Sequence, residues 1–300
     1  MPEIDVIFEL PDDELAWWKK TIKKFRLELV QRPSYYVESV TSEISEMDLM
    51  TEEVSEAIYS IRESCWTMYL NDEVEFHKQV ISHLVREREL PNSILSNLIE
   101  SQILSDDNDQ RMTKDELVSR IGEIVGDYSG RIMPYIYQLS LSTTNSRRSR
   151  AGTTFEAIIE YFISEVFDYP FESQAKLGTE FYSDNGVGKM VDGVIPSKKA
   201  YIKNRSKCQI ITMKTTLRER WQEVVEELNR TNIPHIYLLT LDEGLTDGVL
   251  TQMKSENITV VTYDRIKDNH PTRDNVISFE TFFKTEIPHV VEYWSDHEDN

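Results

Sequence analysis

From Asp12 to about Val30 the chain has no glycine or proline and places Leu15, Trp18, Ile22 and Phe25 at helical spacing, which predicts an amphipathic helix with one apolar stripe. The pattern returns from Thr51 to Leu70 behind a Thr-Glu-Glu start, and Glu73 to Glu89 continues it. Pro91-Asn92 interrupts the run. A helix around Ser93 to Leu104, an acidic loop from Ser105 to Gln110 and a further pair of helices reaching about Leu141 complete the first half. Ser142 to Ser149 is rich in Ser, Thr and Asn and reads as a hinge. The chain then divides into a helical N-terminal region, 1–141, and a second region, 142–300.

The second region changes period. Phe155 to Phe167 reads as a helix, whereas Met190–Ile195, Gln209–Met213, His235–Leu241 and Ile258–Tyr263 are short runs rich in Ile, Val and Tyr, the signature of buried strands. Between and after them Leu217–Leu228, Leu245–Met253 and Phe279–Thr285 have helical spacing. Strands alternating with helices predict an α/β core with a mixed or parallel sheet.

Composition narrows the chemistry. At 300 residues and 39% apolar the chain has enough apolar material for one large domain or two modest ones. No window has the length of a membrane span, and Met-Pro-Glu-Ile-Asp lacks the basic and apolar regions of a signal peptide. Cys65 and Cys208 are the only cysteines, which excludes a disulfide framework and fits a reducing cytoplasm. Six scattered histidines give no zinc spacing, and there is no glycine-rich phosphate loop. A catalytic metal must then be held by carboxylates, which favours magnesium.

A net charge of -20 speaks at first against nucleic acid, but the charge is unevenly spread. Acid concentrates in Glu43–Glu56, Asp106–Asp109 and the tail Glu292–Asp299. Arg147, Arg148, Arg150, Lys198, Lys199, Lys203, Arg205, Lys207, Lys214, Arg218 and Arg220 gather in the middle, a stretch suited to lining a positive cleft in an acidic body.

Within that stretch, Asp192 lies in an apolar strand, where a carboxylate needs a cation or a sheet edge. Lys214 follows the next strand. An acid and a lysine on adjacent strands form the core of a metal-dependent phosphodiesterase, in which the carboxylate and a strand carbonyl hold Mg²⁺ while the lysine steadies charge on the phosphate. A second carboxylate is expected two residues before the lysine, where Thr212 stands instead. Glu227, about three turns along the following helix, is the substitute, with Glu226 its rival. Arg218, Glu219 and Arg220 suit base reading: arginine grips O6 and N7 of guanine, and a carboxylate accepts from N4 of cytosine. The same triplet also fits the solvated start of a helix.

Asp192, Lys214, Arg218-Glu219-Arg220 and Glu227 together resemble the displaced active-site motif of Type II restriction endonucleases of the CCGG family. The likeness is to the branch of SsoII, PspGI and EcoRII, readers of CCNGG, CCWGG and related sites. Arg147-Arg148-Ser149-Arg150-Ala151-Gly152 before Phe155-Glu156 is similar to the lead into the first catalytic-domain helix of that branch, and threonine in place of the second acid is itself a family trait. The resemblance implies a PD-(D/E)XK nuclease core, with a mixed central sheet flanked by helices, behind a helical N-terminal portion. It implies catalytic roles for Asp192, Lys214 and Glu227, with Glu156, or Glu160 one turn on, contributing to the metal site. It further implies Mg²⁺ as cofactor, double-stranded DNA as partner and direct reading of two G·C pairs per half-site by Arg218, Glu219 and Arg220. A homodimer, or a tetramer, would cut ahead of the first C and leave 5′ overhangs.

Arg62 and Trp66 lie four apart on the Thr51–Leu70 helix, hence on one face. Some members of the branch extrude central nucleotides into a pocket walled by an arginine and a tryptophan at this spacing; core packing is the plainer role for such a Trp. Trp17, Trp18, Lys19 and Lys20 read as helix packing and solvated charge, His235 as structural. Tyr35-Tyr36 suits a DNA contact or a buried loop equally, and Lys198, Lys199 and Lys203 suit phosphate contacts. A repair nuclease of the same fold and a non-catalytic DNA-binding protein are the alternatives.

Overall fold

A computed structural model describes residues 9–51, 53–88, 113–184, 190–217, 220–231 and 233–297, with only the backbone of 47, 51, 117, 124, 127, 183, 184, 220, 227 and 229. The chain forms two compact units, residues 1–31 with 68–148, and residues 32–67 with 149–300. The second unit is built on six strands in sequence order: β1 Glu172–Ser173, β2 Gly193–Ile195, β3 Gln209–Lys214, β4 Ile236–Thr240, β5 Ile258–Thr262 and β6 Val276–Ser278. β1 to β3 pair antiparallel and β3 to β6 parallel, so the sheet is mixed. β4 is buried throughout and β3 at all but its last residue, because helices cover both faces of a parallel sheet and its central strands carry apolar residues in unbroken runs. β1 and β6, at two and three residues, are too short to show a period in the sequence.

Helices supply the crossovers that parallel strands require. Numbered in chain order, they are α1 Asp12–Leu29, α2 Pro33–Thr41, α3 Glu46–Thr51, α4 Val54–Glu87, α5 Lys114–Tyr161, α6 Gln174–Asp184, α7 Lys198–Asn204, α8 Arg220–Thr231, α9 Asp247–Ser255, α10 Asp264–Asp268, α11 Phe279–Thr281 and α12 Ile287–Ser295. The last turns of α5 and the π-helical turn after it, Phe162–Val166, bury Phe155, Ile158, Ile159, Phe162 and Ile163 in the second unit, and each buried large apolar side chain contributes about 1.5–3 kcal/mol. Phe155 meets Phe279 and Phe162 meets Phe283. This packing sets the height of Glu156, the residue after Phe155. The start of α4 is tied into the same unit: the Ser55 N–H donates to Glu280 at 2.8 Å, and its hydroxyl lies 2.8 Å from Asp264 and 2.9 Å from Glu280.

In the first unit Trp18 is fully buried and donates from Nε1 to the Tyr135 carbonyl at 2.9 Å, and Trp17 packs under the Arg88 guanidinium, 3.7 Å away. Both roles are structural, as their spacing predicts. The hinge expected at Ser142–Ser149 is instead continuous helix inside α5, as is the expected lead-in at Arg147–Gly152. Ser, Thr and Asn are weak helix formers, but tertiary contacts outweigh propensity. Arg26 donates to Ser142, His77 meets Thr143, and Arg147 grips the buried carboxylate of Glu73. Arg147, counted by charge with the basic cluster, is therefore committed to an ion pair. The helix expected at Ser93–Leu104 and the loop at Ser105–Gln110 lie outside the described residues. Among the described residues no helix is long and apolar enough to cross a membrane.

Candidate active site

The register of β2 on β3 assembles the site. Gly193 faces Ile211, so Asp192, one residue before the strand, stands opposite Thr212, and directly opposed residues point to the same side of a sheet. Lys214, two residues on, shares that face. The strand expected from Met190 is regular only over Gly193–Ile195, yet the Asp192 N–H donates to Ile211 and its carbonyl accepts from Gln174, both at 2.8 Å. The aspartate is thus held by backbone on both sides. At Gly193 a Cβ would collide with the ring of Phe171, so any larger residue beside the acid would have to displace that ring.

Three groups converge on Asp192 Oδ2: the Met213 N–H at 2.6 Å, the Thr212 hydroxyl at 3.3 Å and Lys214 Nζ at 3.7 Å. The Asp192 and Lys214 side chains are only 11% and 13% exposed. Burial pushes the Asp192 carboxyl up, against the opposing pull of Lys214 and the Met213 N–H. Glu156 is raised as well, by burial and then by the Asp192 charge, while Lys214 lowers it. The Tyr182 phenol, bonded to the Val191 carbonyl at 2.8 Å, is raised by burial and by Asp192. Glu156 therefore shares one electrostatic site with Asp192 and Lys214, whereas Glu160 forms an ion pair with Lys176 at 3.7 Å.

Thr212 and Tyr182 are the residues that sequence reasoning missed. Thr212 does not carry the second acid's charge; fully buried, it fixes the first acid. Its position two before the lysine was visible, but its partner follows only from strand register. Beyond Lys214, the Leu217 N–H donates to Asp242 Oδ2 at 2.6 Å. Arg218 and Glu219 lie outside the described residues, and of Arg220 and Glu227, both in α8, only the backbone is described; Glu226 is exposed. Among the described residues no three His, Cys, Asp or Glu side chains group as a metal cluster.

Elsewhere, Arg62 and Trp66 are both half-buried on α4. Arg62 pairs with Glu63 at 3.3 Å and faces the buried phenol of Tyr263. A hollow on this helix, about 470 Å³, is lined by Tyr59, Ser60, Glu63, Ser64 and Thr67 and by neither of the pair. His235 bonds Thr259 at 2.9 Å and packs on Tyr237, a structural role. Tyr36 is buried and Tyr35 exposed. Lys203 donates to the His297 carbonyl at 3.3 Å.

Residues 116–283 match the family model described as EcoRII C terminal. The chain is 32% identical over 232 residues to the Type II restriction enzyme SsoII of Shigella sonnei, spanning 77% of this chain and 67% of that enzyme. Among solved structures it is similar to metal-depleted Ecl18kI in complex with uncleaved, modified DNA, with a TM-score of 0.75 and 29% identity over 93% of this chain and 85% of that one. The PspGI–substrate DNA complex, at 18% identity and a TM-score of 0.55 over 88% and 94% of the two chains, shares the fold. The mixed sheet with its flanking helices is the PD-(D/E)XK nuclease fold. The chain belongs to the EcoRII C-terminal family of Type II restriction endonucleases.

Proposed function

We propose that this chain is a homodimeric, Mg²⁺-dependent Type II restriction endonuclease that hydrolyses double-stranded DNA at a palindromic CC-GG-containing site of the CCNGG kind, leaving 5′ overhangs. The observation that carries the reading is the meeting of Asp192 and Lys214 at 3.7 Å on one sheet face, with Glu156 beside them. A largely buried aspartate and a glutamate whose affinity for positive charge is raised by burial and by that aspartate are a hard-oxygen donor set that fits a divalent cation such as Mg²⁺. Asp192, Glu156 and Glu227 would hold it. The ion, when bound, polarises the phosphate and acidifies a water. Lys214 orients the attacking water and steadies the charge that develops on the phosphate, and Thr212 with the Met213 N–H keeps Asp192 aimed.

Recognition falls to Arg218, Glu219 and Arg220, the last of which opens α8, reading the two G·C pairs of each half-site in the major groove. A palindrome demands two-fold symmetry, and one active site per subunit then cuts each strand once. The N-terminal region, 1–141, contributes dimer and DNA contacts. Plasmid incubated with the protein and Mg²⁺ is expected to give discrete fragments. Degradation without fixed ends would point to a repair-type nuclease, and intact DNA to a binding protein without catalysis.

Arg62 and Trp66 form the pocket for an extruded central base, a guanidinium and an indole that can hold a flat ring between them. Flipping costs a few kcal/mol, and removing the central pair brings the two half-sites together for the readers. With 2-aminopurine at the central position, fluorescence is expected to rise on binding and to stay low with Trp66→Ala. No rise with the unaltered protein would remove extrusion from the account.

A further inference from the structure

The segment between Lys214 and Arg218 is Thr215-Thr216-Leu217, a short tether between the catalytic lysine and the proposed reader. Only Leu217 is buried; Thr215 is half-buried and Thr216 exposed. Leu217 is held twice: its side chain is 2% exposed, and its N–H donates to Asp242 Oδ2 at 2.6 Å, the short distance of a charge-assisted bond. Asp242 is itself fixed. Its Oδ1 accepts from the Gly244 N–H at 2.8 Å, and its own N–H donates to Thr240 Oγ1 at 3.1 Å. Thr240 is fully buried and is the β4 partner of Lys214 in the parallel register.

A continuous path therefore runs from Lys214 across the ladder to Thr240, on to Asp242, and back to the amide next to Arg218. We infer that Asp242 is a positioning residue for sequence recognition, clamping the root of the Arg218-Glu219-Arg220 reader to the strand beside the catalytic lysine. Asp242 acts through the Leu217 amide that it holds, fixing the distance between reading and cutting. The inference rests on the reading of Arg218 and Arg220 given above. Alanine at 242 leaves the Leu217 N–H without its acceptor, and asparagine keeps one oxygen for two amides.

The test compares unaltered protein, Asp242→Ala, Asp242→Asn and Arg218→Ala on a CC-GG site and on sites with one base of the core changed. Hydrogen exchange at the Leu217 amide is read alongside. The expected result for Asp242→Ala is faster exchange at Leu217 and a loss of discrimination on the order of a hundredfold, the cost of displacing a reading group by about 1 Å. Asp242→Asn should fall between, a graded rescue that a general loss of stability would not give, since that would lower cleavage of all sites alike. If Asp242→Ala does not fold, Asp242→Asn decides by the same ratio. Unaltered discrimination and a protected Leu217 amide in the folded variants, with Arg218→Ala impaired, would overturn the role of Asp242 alone. Unaltered discrimination in Arg218→Ala would overturn the reader itself and the inference with it.

Discussion

Asp192→Ala is expected to bind its DNA site in Ca²⁺ and to leave it uncut in Mg²⁺, with cleavage lowered at least about a thousandfold. The carboxylate removed is the one on which the Met213 N–H, the Thr212 hydroxyl and Lys214 converge. Without it Lys214 loses the partner that aims it, and Glu156 is left without its neighbouring acid. The fold should survive, since the backbone of Asp192 remains bonded to Ile211 and Gln174, and an inward carboxylate raised by burial is costly to the folded state rather than its support. The separation of binding from cutting is the diagnostic part of this result. A variant that cuts normally would take Asp192 out of the mechanism.

Arg218→Ala and Arg220→Ala are each expected to abolish specific cleavage while the fold is kept. One bidentate contact to guanine is worth roughly 1–3 kcal/mol of discrimination. In a two-fold dimer every contact is made twice, so one substitution costs about 2–6 kcal/mol, from about thirtyfold to beyond ten thousandfold. Stability should change little, because α8 is anchored by Val224 and Leu228, which are buried. Melting temperature and cleavage of a CC-GG duplex, measured on the same preparations, separate the two effects. Retained cleavage by both variants would sink the assignment.

These two expectations draw on different kinds of legibility. The central strands could be read almost residue by residue: Gln209–Lys214, Ile236–Thr240 and Ile258–Thr262 are apolar runs with no competing period. Asp192 and Lys214 stood out because charge at the end of such a run is expensive unless it is used. Strand register was not legible, and register is what turns Thr212 from a missing acid into a partner of Asp192. Asp242 was silent for the same reason: a loop aspartate after a strand has no sequence signal until its neighbour in space is known. At Ser142–Ser149 local composition pointed to a hinge, and contacts from Arg26, His77 and Glu73 made it helix. The choice between Glu156 and Glu160 was a matter of one helical turn. In the structure Glu156, between the buried Phe155 and Ile158, feels the charges of Asp192 and Lys214, whereas Glu160 pairs with Lys176, and neither relation is visible in the sequence.

The central claim is that a metal-dependent site at Asp192 and Lys214 cuts where a neighbouring reader finds its bases. Sequencing the ends of a DNA digest made with the protein and Mg²⁺ tests it most directly. The account predicts that every end carries a 5′ overhang beginning at the first C of a CC-GG core, and that omitting Mg²⁺ leaves the DNA whole. Ends scattered without a shared sequence, or DNA left intact in Mg²⁺, would contradict it.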